Sequence, residues 1–163
     1  MKLFKKKKEM TNQYEFNPVF GKIKYIYNWW TEELTIIKLW DKEYPMSMRI
    51  STVQKDDSIN EAQEQACKKL RERIPELQEK IEKILENEFP LPKNLKPTDV
   101  FEGGSITFSR NGKCGIIMDI AEKYSNDIDF EEIGAFLDNS FGISLLPDTF
   151  LVNSINDFEE LFR

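Results

Sequence analysis

The amino-acid sequence predicts an α+β fold: an antiparallel sheet, made of an N-terminal meander plus C-terminal hairpins, packed against one long kinked helix. Three observations predict it. Short segments rich in β-branched and aromatic residues open the chain, an apolar stripe at intervals of three and four occupies its middle, and further β-type segments close it. Strands, then a helix, then strands is an α+β order, not the alternation of an α/β protein. A chain of 163 residues can bury a substantial core. Its 40% apolar content and 12 Phe set it apart from disordered chains despite 32% charge.

Taken in order, residues 1–14 read as a basic flexible tail and 15–163 as a single α+β domain. Lys2, Lys5, Lys6, Lys7 and Lys8 face only Glu9, with no apolar stretch of the signal-peptide kind after them. No run of 18 apolar residues occurs, so no membrane span is expected, and the expected location is cytoplasmic. Strands are expected over 19–26, 33–40 and 45–53, where Met46, Met48 and Ile50 alternate as on a half-buried strand. Asn28 and Asp41-Lys42-Glu43 supply the turns.

Ser58-Ile59-Asn60-Glu61 has the pattern of a capping box and predicts a helix start at Ser58. Ile59, Ala62, Ala66, Leu70, Ile74, Leu77, Ile81, Leu85 and Phe89 then form one apolar stripe. The stripe keeps its phase across Pro75, so one helix with a kink is expected. Pro90, Pro92 and Pro97 end it. A hairpin follows over 106–109 and 114–120, with Asn111-Gly112 as a type I′ turn. The preceding Gly103-Gly104 pair leads into no strand-to-helix unit, so it makes no phosphate loop. A short helix over 129–137, paired strands over 141–146 and 149–155, and a helical turn over 157–162 complete the chain.

The absence of histidine removes Ser-His-Asp and Cys-His nucleophilic systems and the His-bearing zinc sites. Cys67 and Cys114 read as ordinary half-buried thiols, with no neighbouring Cys or His to form a zinc site. No cofactor, metal site or catalytic residue is assigned. The charge is unevenly placed. Residues 119–163 hold 11 acids against Lys123 and Arg163, a balance of −9, whereas the whole chain stands at −6. Such a face attracts basic partners and repels nucleic acid. Asp127, Asp129, Glu131, Glu132 and Asp138 are the candidate partner-binding residues. Asp127 and Asp129 resemble the opening of a calcium loop, but the glycine at its sixth position and the glutamate at its twelfth are missing. The leading expectation is a non-catalytic, acidic protein-binding domain. The alternatives are a metal-binding domain or enzyme using only carboxylates, and a structural subunit that self-associates through its aromatic-rich N-terminal sheet. Trp29-Trp30 suits either a core or an interface.

One resemblance joins these pieces. Phe20-Gly21-Lys22, Trp30, Ile37-x-Leu39-Trp40 and Ile59-x-x-x-Gln63-x-x-Ala66, followed by the long helix and the proline-rich connection, occur in that order over about 17–157. This resembles a family of small bacterial domains of unknown function, found among the predicted immunity proteins of polymorphic-toxin systems. Its members tend to carry Trp-Asp-x-Glu-His-Gly before an apolar strand. The corresponding stretch here is Leu137-Asp138-Asn139-Ser140-Phe141-Gly142, in which Asp138 and Gly142 match and the tryptophan, glutamate and histidine do not. The resemblance implies an α+β protein without enzymatic activity that neutralises a toxin by direct binding, and the acidic charge suits a basic target such as a nuclease-type toxin.

Overall fold

The computed structural model describes residues 14–26, 29–32, 35–53, 57–124 and 140–162. Five strands come first: β1 (Glu15–Asn17), β2 (Gly21–Ile26), β3 (Trp29–Glu32), β4 (Thr35–Leu39) and β5 (Lys42–Ser51). Helix α1 (Glu61–Glu88) follows, then the single turn α2 (Pro97–Val100) inside the proline-rich connection. β6 (Phe101–Phe108), β7 (Cys114–Ile120), β8 (Ser140–Leu146), β9 (Val152–Ser154) and α3 (Ile155–Leu161) complete it. The strands form one sheet in the order β1-β2-β3-β5-β6-β7-β8-β9, with β4 beside β5. The stretch expected as one strand over 33–40 is therefore the short β4, preceded by a separate β3. Both pair with β5, β3 along its last residues and β4 along its first.

The expected antiparallel sheet is observed at every junction but one. β5 and β6 run parallel, from Ser47 beside Ser105 to Ile50 beside Phe108. The reason is α1 itself. A helix between two strands carries the chain back past the first, so the second strand starts from the same end.

α1 is continuous through Pro75. Its stripe of Ala66, Cys67, Leu70, Leu77, Ile81 and Leu85 is buried against Met46, Met48, Ile50, Ile106, Ile116, Ile143 and Leu145. Each large side chain so buried stabilises the fold by about 1.5–3 kcal/mol relative to exposure. Phe89, Phe101 and Phe141 close the far end of this core, with ring centroids 4.8–5.3 Å apart. Cys67 and Cys114 are fully buried, deeper than their half-buried reading from sequence. They come together between α1 and β7, and burial, followed by the neighbouring Cys67, raises the Cys114 thiol well above its ordinary value.

The other face of the sheet is covered more thinly. Phe158 of α3 and Phe162 just after it pack on Ile117. They lie flat on glycines: a Cβ on Gly142 would sit 2.1 Å from the Phe158 ring, and one on Gly115 2.5 Å from it.

Three local expectations are corrected. The helix cap is Asn60, not Ser58: Gln63 N–H donates to the Asn60 side chain (3.0 Å) and Gln63 Oε1 accepts the Asn60 N–H (3.1 Å). Gln63 is fully buried, and its Nε2 donates to the Ser51 carbonyl (2.8 Å). Docking against the end of β5 thus sets the start of the helix, two residues later than the sequence pattern placed it. The β6–β7 loop is not type I′, because only Gly112 has positive φ (80°). Gly112 N–H donates to the Ser109 carbonyl and Ser109 N–H to the Lys113 carbonyl, a three-residue loop with a glycine bulge. Ser109 Oγ, which accepts the Lys113 N–H, favours this form. The type I′ geometry occurs instead between β4 and β5, where Trp40 (φ 50°) and Asp41 (φ 63°) join the Leu39–Lys42 pair. Finally, β9 is confined to Val152–Ser154, since Phe150 has φ 48° and Ser154 caps α3, accepting the Asp157 N–H. The helix expected over 129–137 lies outside the described residues. Among the described residues, no helix is long and apolar enough to cross a membrane.

Candidate functional site

A concavity of about 260 Å³ lies on the sheet face opposite α1 and is lined in part by the acidic half of the chain. β5 contributes Ser47 and Arg49, β6 Gly104 and Ser105, β7 Ile117 and Asp119, β8 Ser140, and α3 Ile155 and Glu159. Strand alternation puts them there. Met46, Met48 and Ile50 point into the core, so Ser47 and Arg49 point away. Register completes the floor, with Ser47 beside Ser105, Ser105 beside Ile117, and Asp119 beside Ser140.

Asp119 is the centre of this floor. Ser140 Oγ donates to its Oδ1 at 2.6 Å. A Cβ on Gly104 would lie 2.2 Å from its Oδ2, so the carboxylate occupies space that only glycine leaves open. β6 shifts register between Gly103 and Ser105 at the same point. Gly103-Gly104 therefore lies within a strand, as a bulge, and does not precede one. Arg49 reaches Glu159 at 3.7 Å across the concavity. The set offers two carboxylates, one guanidinium and three hydroxyls. That chemistry suits recognition of polar and cationic groups. Among the described residues, no group of three Cys, Asp or Glu is placed to hold a metal ion.

Asp127, Asp129, Glu131, Glu132 and Asp138 all lie outside the described residues. Other acids of the same half have found partners. Asp148 accepts two bonds from Arg73 (2.7 and 3.1 Å), Asp157 accepts from Ser154 Oγ (2.7 Å), and Glu159 faces Arg49. Two arginines from earlier in the chain thus offset part of the −9 balance. Asp119, Ser140 and Glu159 are not legible as a group because strand pairing joins the first two and the docking of α3 on the sheet adds the third. The local signal was the glycine pair, which in a strand marks a close approach.

No family model, curated protein or solved structure matches the chain. The fold defines an α+β protein with a mixed sheet packed against one long helix.

Proposed function

We propose that this protein is a non-catalytic, protein-binding module that engages a basic partner through its acidic C-terminal half. The observation that carries this reading is the excess of 11 acids over two basic residues in 119–163. The concavity around Asp119 and Glu159 supports it, because a lysine or arginine of a partner would find carboxylates and hydroxyls there. The biological setting we propose is cytoplasmic immunity against a bacterial toxin, with a nuclease-type toxin as target. Carboxylates would then stand where the toxin binds phosphate.

The test begins with the tagged chain in its native cells, purified at low and at high salt. The expected result is one stoichiometric basic protein that is released by salt and whose toxicity is lost in the complex. Reversing Asp127 and Asp129 to Lys should slow association by roughly tenfold or more at low salt, since steering by charge acts chiefly on the on-rate. An association rate that is unchanged at low salt would remove the acidic half as the interface.

A further inference from the structure

The concavity beside α3 holds one charge that the fold itself does not neutralise. Arg49 and Glu159 pair with each other at 3.7 Å. Asp119 accepts from the neutral Ser140 hydroxyl at 2.6 Å, and among the described residues no basic group pairs with it. Two carboxylates against one guanidinium leave the lining at −1.

A second observation points the same way. Ser105 lies in the floor, only 4% exposed, and among the described residues its hydroxyl has no hydrogen-bond partner. Its neighbour Ile106 belongs to the core on the α1 side, so strand alternation aims Ser105 into the concavity. A buried hydroxyl without a partner costs free energy, and a group arriving from outside can supply the missing bond. The lining is not all polar. Ile117 of β7 and Ile155 of α3 face the same space. A carboxylate and hydroxyls beside aliphatic groups match a cation carried on a hydrocarbon stem.

We propose that this concavity seats one lysine side chain of the basic partner, its ammonium on Asp119 and its methylenes along Ile117 and Ile155. The inference rests on the protein-binding reading above and names the group that is bound. An ammonium donates three bonds from a compact charge. Asp119 and the hydroxyls of Ser47, Ser105 and Ser140 offer it acceptors from four neighbouring strands. Ser140 can accept while it donates to Asp119, because a hydroxyl has two lone pairs. A guanidinium asks instead for both oxygens of a carboxylate in one plane. Here Oδ1 is already bonded to Ser140, and Oδ2 lies so close over Gly104 that a Cβ there would be 2.2 Å from it. Arginine is therefore the poorer fit. An inorganic cation would make no use of the two isoleucines.

The test follows the backbone amide resonances of the isotope-labelled full chain during titration with Nα-acetyl-lysine methylamide. Saturable shifts are expected at Ser105, Asp119 and Ser140. The uncharged norleucine analogue should leave them unmoved, and the arginine analogue should bind several-fold more weakly. Asp119→Asn should weaken lysine binding by roughly tenfold, as for a lost charge-assisted bond. Ser105→Ala should weaken it several-fold without lowering the melting temperature, since that hydroxyl gives up no bond of the fold. The absence of saturable shifts at these residues, equal binding of the arginine analogue, or full binding by Asp119→Asn overturns the proposal. The captured basic partner separates the two readings. If Asp119→Asn leaves its dissociation rate unchanged while reversal of Asp127 and Asp129 slows its association, the lysine seat is overturned and the acidic face stands. If Asp119→Asn speeds dissociation by roughly tenfold and the reversal has no effect, the seat stands and the wider acidic face falls.

Discussion

The two flanks of α1 are held in opposite ways. On one, Arg73 forks onto Asp148 of the β8–β9 loop and onto Glu76 of its own helix, so charged side chains reach across a concavity of about 570 Å³. On the other, Gln78 grips the backbone and indole of Trp40, beside an edge of β4 that no strand covers among the described residues. The first flank spends side-chain charge, which water and salt screen. The second uses amide bonds that are indifferent to pH. The difference teaches that one helix can be fixed by a few neutral bonds on one flank and by screened charges on the other.

The largest effect is expected where both flanks share a core. Leu77→Ala opens a cavity under the middle of α1 and should cost about 2–5 kcal/mol in denaturant unfolding. Gln78→Ala acts on the second flank only. It strips the half-buried Trp40 N–H of its acceptor and should cost about 1–3 kcal/mol, with faster proteolysis at the β4–β5 turn. An unchanged turn would erase the contrast between the flanks. Asp41→Gly should stabilise by less than about 1 kcal/mol in the same assay, because relief of the strain at φ 63° is partly offset by the freedom glycine adds to the unfolded chain. The exposed Lys38–Asp41 pair that it removes contributes little.

The smallest effect belongs to the charged flank and is visible only in acid. Hydrogen bonds from Arg73, then Lys80, lower the Glu76 carboxyl from 4.5 to about 2, and Arg73 lowers that of Asp148 too. Both groups bind protons more weakly in the folded chain than in the unfolded one. Their contribution is therefore present above about pH 4.5 and is lost as pH falls toward 2. Arg73→Met should flatten this part of the stability-versus-pH curve and leave the Trp40 clamp intact. The same curve should fall on the alkaline side as well. The unfolded Cys114 thiol ionises near its ordinary value, whereas the buried one keeps its proton.

Much of this architecture was legible locally. The apolar stripe of α1 survives Pro75 as one helix, and the pattern of Phe141 to Leu146 is a strand. What escaped depends on partners distant in sequence. Ser58 has the better capping signature, yet Gln63 must reach the Ser51 carbonyl, so Asn60 caps. Asn111-Gly112 carries the stronger hairpin signal, yet the type I′ turn falls on Trp40-Asp41, where Gln78 holds it. The Asp119 concavity and the placing of β4 depend on which strands lie side by side. No local pattern encodes that Ser47 meets Ser105 or that β4 lies beside the first residues of β5.

That meeting of β5 and β6 has a kinetic consequence. The antiparallel strands on either side can form by local zipping, but the seam from Ser47–Ser105 to Ile50–Phe108 closes only after the whole of α1 has been laid down between them. Closing a long loop costs entropy before any contact rewards it. The rate of folding should therefore be governed by this one seam, with the helix acting as the tether that sets how far the two halves must search.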